Sequence, residues 1–127
     1  MYFKLLKFNK VEAEVKKDEA FSGLAVNLDI SEIKKIGSDI RFEFIYSVDY
    51  EPSVAKIIFK GFGIISGSTD EVTKMLSEWQ KDKSVEPIIA EMIVNTINFN
   101  AETNGVLVAK ALGIVSPLMS PKMQIKN

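Results

Sequence analysis

Apolar and polar residues alternate along the first 67 positions and then recur every three or four, which predicts a sheet followed by helices. Strands are expected at Tyr2–Val15, Leu24–Ile30, Ile40–Tyr50 and Val54–Ser66. The third has the clearest pattern: Ile40, Phe42, Phe44, Tyr46, Val48 and Tyr50 share one face, and Arg41, Glu43, Ile45, Ser47 and Asp49 share the other. In the first, Val11, Ala13 and Val15 alternate with charges, while Phe3, Leu5, Leu6 and Phe8 break the alternation, so a bulge is expected near Asn9–Lys10. Glu51–Pro52–Ser53 predicts a turn, and Gly61 and Gly63 inside the fourth strand predict a bend or a close backbone approach. Short strands in succession are expected to pair antiparallel.

Ser68 precedes Glu71 by three residues, the spacing of a capping box, and Val72, Met75, Leu76 and Trp79 follow at helical intervals. A short helix over Asp70–Gln80 is therefore expected, then a polar linker, Lys81–Ser84. Pro87 suits a first helical turn, and Gly113 suits a stop, so a long helix is expected over Glu86–Leu112, with Asn104–Gly105 as an earlier possible break. Residues 114–127 contain Pro117 and Pro121 and are expected to be extended. The chain thus divides into a sheet (1–67), a crossover helix and linker (68–84), a long helix (85–113) and a tail (114–127) of one domain.

Wound at about 100° per residue, the long helix places apolar side chains over roughly 240° of its circumference. Only Glu91, Asn95, Asn98 and Glu102 form a clearly polar stripe. A helix covering one sheet needs an apolar arc of somewhat over about 100°. The excess predicts a second copy of the chain on the far side, with Ile89, Ile93, Ile97, Asn100, Asn104 and Val108 as candidate interface positions. Asn100 and Asn104 fall inside the apolar arc, where buried asparagine fixes pairing register in other helical assemblies. The alternatives are a monomer whose own tail wraps the helix, and asparagines that are simply solvated.

Composition narrows the function classes. With 127 residues, 46% of them apolar and 26% charged, the chain is sized and composed for one packed domain. The net charge of -1 predicts no long-range electrostatic steering, and Arg41 is the lone arginine, so nucleic acid is not an expected partner. Absence of cysteine excludes disulfides and thiolate metal sites and fits a cytoplasmic location. Absence of histidine removes the commonest general base and metal ligand. The start, MYFKLLKFNKVEAE, has too short an apolar stretch for a signal peptide, and no apolar run approaches the about 18 residues of a membrane span, so membrane insertion is not expected.

No motif argues for catalysis. Gly61–Phe62–Gly63 lacks the strand–turn–helix context of a phosphate loop, and Ser66–Gly67–Ser68 lacks a nucleophile-elbow pattern. Glu91 and Glu102 sit on a solvated helix stripe, and Asp70 and Glu71 are first-turn charges. No catalytic residue, metal site or cofactor is expected. Met75, Trp79, Met92, Met119 and Met123 fit either an ordinary core or a surface that repacks around varied apolar partners. FEFIYSV is apolar and β-forming, the composition of an aggregation-prone strand if exposed.

Four segments, RFEFIYSVDYE, IIFKGFGIISG, EPIIAEMI and SPLMSPKMQI, stand in an order that resembles the SecB family of export chaperones. The resemblance spans nearly the whole chain and implies an α+β fold: a four-stranded antiparallel sheet, a short crossover helix and one long helix. It further implies a homotetramer built as a dimer of dimers, or a dimer, that holds unfolded polypeptides in apolar grooves without nucleotide. Such a groove would involve Phe44 and Tyr46 on the sheet, Met75, Leu76 and Trp79 on the crossover helix, and Ile88 and Met92 on the long helix. Lys56 stands where the family carries an acidic residue that meets the export motor SecA, so hand-off to that motor is not implied. Two other classes remain open beside the holdase: an interaction module with one dedicated folded partner, and a binder of a small molecule or lipid in the sheet–helix cavity.

Overall fold

The computed structural model describes residues 1–114; the expected extended tail, with Pro117, Met119, Pro121 and Met123, lies outside the described residues. Strands β1 (Tyr2–Val15), β2 (Gly23–Ile36), β3 (Asp39–Glu51) and β4 (Ala55–Ser66) are followed by helices α1 (Thr69–Asp82) and α2 (Pro87–Leu112). The sheet is antiparallel throughout, in the order β1-β4-β3-β2. Consecutive pairing holds for β2–β3 and β3–β4 but not for β1, which lies against β4 at the far edge. The reason is the segment 16–22, which is no tight turn. It laces across the β3–β4 turn, where the amides of Lys16 and Lys17 donate to the Val54 carbonyl and that of Ser22 donates to the Glu51 carbonyl. Phe21 pins it with a ring set edge-on to Tyr50 at 5.0 Å.

β1 shifts register between Phe8 and Lys10, where the sequence predicts a bulge, and again between Phe3 and Leu5. The two bulges keep Phe3, Leu6 and Phe8 all facing the core. β2 runs six residues past the expected end at Ile30 because a register shift between Ile30 and Glu32 hides its continuation and brings Ile33 back to the buried face. Along β3 the even-numbered side chains Ile40 to Tyr50 are all buried, as the alternation predicts.

The glycines of β4 make room for aromatic rings. A methyl group on Gly61 would sit 2.1 Å from the Lys7 carbonyl oxygen and 2.9 Å from the Phe44 ring, and one on Gly63 would sit 2.3 Å from the Phe42 ring. Phe3 meets Phe42 edge-on at 5.8 Å, and Phe8 meets Phe44 edge-on at 5.8 Å. Aromatic pairs in this geometry add about 0.5–1.5 kcal/mol each beyond their buried area.

α1 begins with the capping box: Ser68 Oγ accepts from the Glu71 amide, and Glu71 Oε1 accepts from the Ser68 amide at 2.9 Å. The Ser68 amide, together with the N-terminal ammonium 3.3 Å away, lowers the Glu71 carboxyl from its ordinary value. α1 ends on Lys83, whose φ of 57° is left-handed, a conformation natural to glycine and costly for a side chain. The Lys83 ammonium lies 5.2 Å from the centre of the Trp79 ring, an exposed contact that offsets part of the strain. Lys83→Gly is therefore expected to stabilise the chain by about 0.5–1 kcal/mol. The check is a rise in urea midpoint at unchanged slope.

α2 runs unbroken to Gly113, whose φ is 71°. The Asn104–Gly105 break does not occur, because Gly105 is buried in the packed stripe of the helix and Asn104 Nδ2 donates to the Asn100 carbonyl at 2.8 Å. No helix among the described residues is long and apolar enough to cross a membrane.

Candidate functional site

The surface of α2 resolves into rows of residues four apart. Ile93, Ile97, Ala101, Gly105 and Ala109 form the row that is buried within the subunit. On the opposite side run Glu91, Asn95, Phe99, Thr103, Leu107 and Ala111, all exposed. Phe99 is 72% exposed and Leu107 67%, and Ile88 near the helix start is 75% exposed. Met92, Val94, Val106 and Val108 on the flanking rows are half-buried. One sheet face thus covers one row, and apolar surface remains on the other side of the helix, as the wide arc predicts.

The structure distributes the candidate groove residues unequally. Phe44, Tyr46 and Met75 are buried in the subunit core, Leu76, Trp79 and Met92 are half-buried against it, and Ile88 is open to solvent. Burial, with a smaller contribution from the Glu102 carboxylate, pushes the Tyr46 hydroxyl up to about 12, so it is neutral at any physiological pH. Of the candidate interface residues, Ile93 and Ile97 are buried within the subunit, Ile89, Asn100 and Val108 are half-buried, and Asn104 is exposed. The amides of Asn100 and Asn104 are turned onto their own helix: Asn100 Nδ2 donates to the Thr96 carbonyl at 2.8 Å, and Thr96 Oγ1 donates to the Met92 carbonyl at 2.8 Å. Phe99 and Leu107, the largest exposed side chains in the outer row, were not among the candidates. Their place on the wheel is the signal for them, since they lie nearly opposite the stripe that meets the sheet.

Between α1 and the start of α2 runs a groove of about 200 Å³ with Met75 and Ile89 in its lining and Asp70, Glu71, Lys74, Glu78 and Glu86 around them. Lys74 reaches Glu86 at 3.7 Å and Glu78 at 4.0 Å, tying the two helices together. A second hollow, of about 330 Å³, lies between Lys17–Phe21, Tyr50, Val54 and Leu112–Ile114. Drug-sized ligands occupy clefts of about 300–1,000 Å³ that enclose most of their surface. The first groove is below that range and the second is an open hollow, so neither favours a small-molecule site over an extended peptide. Among the described residues no group of three or more acidic side chains is placed to hold a metal ion.

The sheet face turned away from the helices is also mixed in character. Arg41 lies over the Phe62 ring at 3.9 Å from its centre, and Glu32 stands directly opposite Glu43 across the β2–β3 ladder. Their mutual hydrogen bond and repulsion raise the Glu43 carboxyl above the usual value, against the smaller opposing effects of Arg41 and Lys34. Because its folded value is raised, Glu43 binds a proton more readily folded than unfolded. Its contribution is fully present below the unfolded value and is lost as pH rises through the folded one. Glu12, Asp39 and Glu71 are lowered and act in the opposite sense, losing stability as pH falls through their folded values. Glu43→Gln is thus expected to make stability fall more steeply on acidification from about pH 7 to about pH 4, read as the urea midpoint at each pH.

Neither a protein-family model nor a curated protein sequence matches the chain. Among solved structures, the SecB-like chaperone of Mycobacterium tuberculosis, in complex with a ChAD peptide from the HigA1 antitoxin, superposes with a TM-score of 0.56. The match covers 99% of this chain and 91% of that one, at 10% sequence identity. At that identity the likeness is one of fold: an α+β fold of SecB-like architecture.

Proposed function

We propose that the chain is a chaperone-like protein of SecB type, which holds non-native polypeptides against the apolar surface of its helices without nucleotide and assembles through α2. The observation that carries this is the exposure of Ile88, Phe99 and Leu107 on one side of a helix in a SecB-like fold. Large apolar side chains so placed mark interaction surfaces. In this assignment a client segment lies along the junction of α1 and α2, against Leu76, Trp79, Ile88 and Met92, and Phe99 and Leu107 meet another copy. A cytoplasmic tetramer is the finer form of the same proposal. The test is light scattering of a chemically denatured client diluted into buffer. A stoichiometric amount of the folded protein is expected to suppress aggregation, and unchanged scattering would overturn the holdase assignment.

A second assignment, one dedicated polypeptide partner, is favoured by the structural neighbour's being bound to a single antitoxin peptide. Affinity capture from the native host separates the two. One stoichiometric partner, with no retention of unfolded chains, points to the dedicated role.

A further inference from the structure

Asn104–Gly105 does not end α2, and neither groove nor outer row makes use of the pair. Asn104 is the one asparagine in the sequence followed by glycine; Asn9, Asn27, Asn95, Asn98 and Asn100 precede Lys10, Leu28, Thr96, Phe99 and Ala101. Asparagine before glycine is the reactive case. The backbone nitrogen of the following residue attacks the side-chain amide carbon, and glycine alone leaves that nitrogen unscreened by a Cβ. The new C–N bond closes a five-membered imide. The attacking N–H gives its proton to the departing amide nitrogen, which leaves as ammonia. Water then opens the ring at either carbonyl, giving aspartate or isoaspartate, and in isoaspartate the main chain runs through the side-chain carbon.

The folded helix holds this reaction shut. Gly105 is buried on the row that meets the sheet. The helical ladder commits its N–H to the carbonyl of Ala101, four residues back. Side chains on an α-helix lean toward its N-terminus, and Asn104 Nδ2 donates to the Asn100 carbonyl at 2.8 Å. The amide carbon is therefore turned one way along the axis while the Gly105 nitrogen lies the other way. Asn104 itself is exposed, so the protection comes from the helix and not from shielding of the side chain. Neither residue is a strong helix former, so hydrogen bonds and packing, rather than propensity, keep this turn closed.

We propose that Asn104–Gly105 is a latent deamidation site, closed in the folded subunit and opened when α2 unwinds, so that time spent unfolded is written permanently into the helix. The mark is not silent. Aspartate loses the Nδ2 donor and sets a carboxylate against the Asn100 carbonyl. Its neighbours at helical contact spacing, Asn100, Ala101, Leu107 and Val108, include no cation to offset the charge. Isoaspartate lengthens the main chain and interrupts the ladder. The inference does not rest on the chaperone assignment.

The intact chain is incubated at neutral pH, one portion folded and one in guanidinium chloride above the unfolding midpoint. Peptide mapping by mass spectrometry follows the conversion of amide to acid at each asparagine, with the other asparagines as internal references for the solvent. Asn104 is expected to convert faster than every other asparagine in the denatured portion. It is expected to convert at least about tenfold more slowly in the folded portion, because a turn that is open less than about a tenth of the time reacts at less than about a tenth of the rate. A smaller ratio, or a denatured Asn104 no faster than the other asparagines, would overturn the proposal. Asn104→Asp, which carries the mark from synthesis, is expected to unfold at a lower urea midpoint than the wild type. A midpoint at or above the wild-type value would overturn the claim that the mark weakens the helix.

Discussion

Gly61→Ala is expected to be the most damaging single-methyl change in the chain. The added carbon falls 2.1 Å from the backbone oxygen of Lys7, inside any allowed contact, and 2.9 Å from the Phe44 ring. Phe8 opposes Gly61 in the register, and the β1 bulge follows it. Relief therefore requires β1 to move away from β4, opening the ladder and pulling Phe8 off Phe44 and Phe59. Overpacking in a rigid core costs typically about 1–3 kcal/mol, and a clash with backbone belongs at or above the top of that range. A change of that size lowers the melting temperature by about 10–20 °C. Gly63→Ala is the comparison. The three atoms nearest its methyl group are all ring atoms, of Phe42 at 2.3 Å and 2.4 Å and of Phe3 at 3.2 Å, so the rings are able to yield and the loss is expected to be smaller. Thermal unfolding of the two variants side by side decides the matter, and equal losses would mean that the rings, not the Lys7 carbonyl, set the requirement for glycine.

That comparison shows what was legible in the chain and what was not. Glycine inside a strand signals a close approach, but which atoms approach depends on β1 lying beside β4, and the topology is not written locally. Segments that obey one period were readable: β3 with its six alternating core residues, the Ser68–Glu71 capping box, the Gly113 stop. Segments that change period were read short or with fewer irregularities. The register shift after Ile30 turned the end of β2 into what looks like loop, and the second bulge of β1, between Phe3 and Leu5, left no signature beyond a broken alternation. The excess apolar surface of α2 was legible because it is a property of one helix. Its division into rows was not, because the buried row follows residues four apart and so drifts around the helix as it advances. The wheel puts Ile93, Ile97, Phe99 and Leu107 in one apolar arc, and nothing in the helix alone says which part of that arc its own sheet covers, which is why Ile93 and Ile97 were grouped with an outer interface while Phe99 and Leu107 were passed over.

The α2 surface makes the stronger functional prediction. Phe99→Glu combined with Leu107→Glu is expected to leave the subunit folded and to abolish its assembly through this helix. Both side chains are mostly exposed within the subunit, so little packing is lost, and glutamate is at least as good a helix former as phenylalanine. Burying a large apolar side chain at an interface contributes about 1.5–3 kcal/mol relative to leaving it in water. Across a two-fold contact four such side chains are removed, a loss of at least about 6 kcal/mol and hence a dissociation constant raised by about 10⁴ or more. Sedimentation is expected to show the variant at a smaller mass than the wild type under the same conditions, with a circular dichroism spectrum like that of the wild type. Ile93→Glu with Ile97→Glu, placed on the buried row, supplies the contrast, because an unpaired charge there has no water to reach and the variant is expected to unfold outright. A wild-type chain that sediments as one subunit, or an assembly indifferent to both outer-row glutamates, would show that the exposed row has another role, and the proposal of assembly through α2 would fall with it.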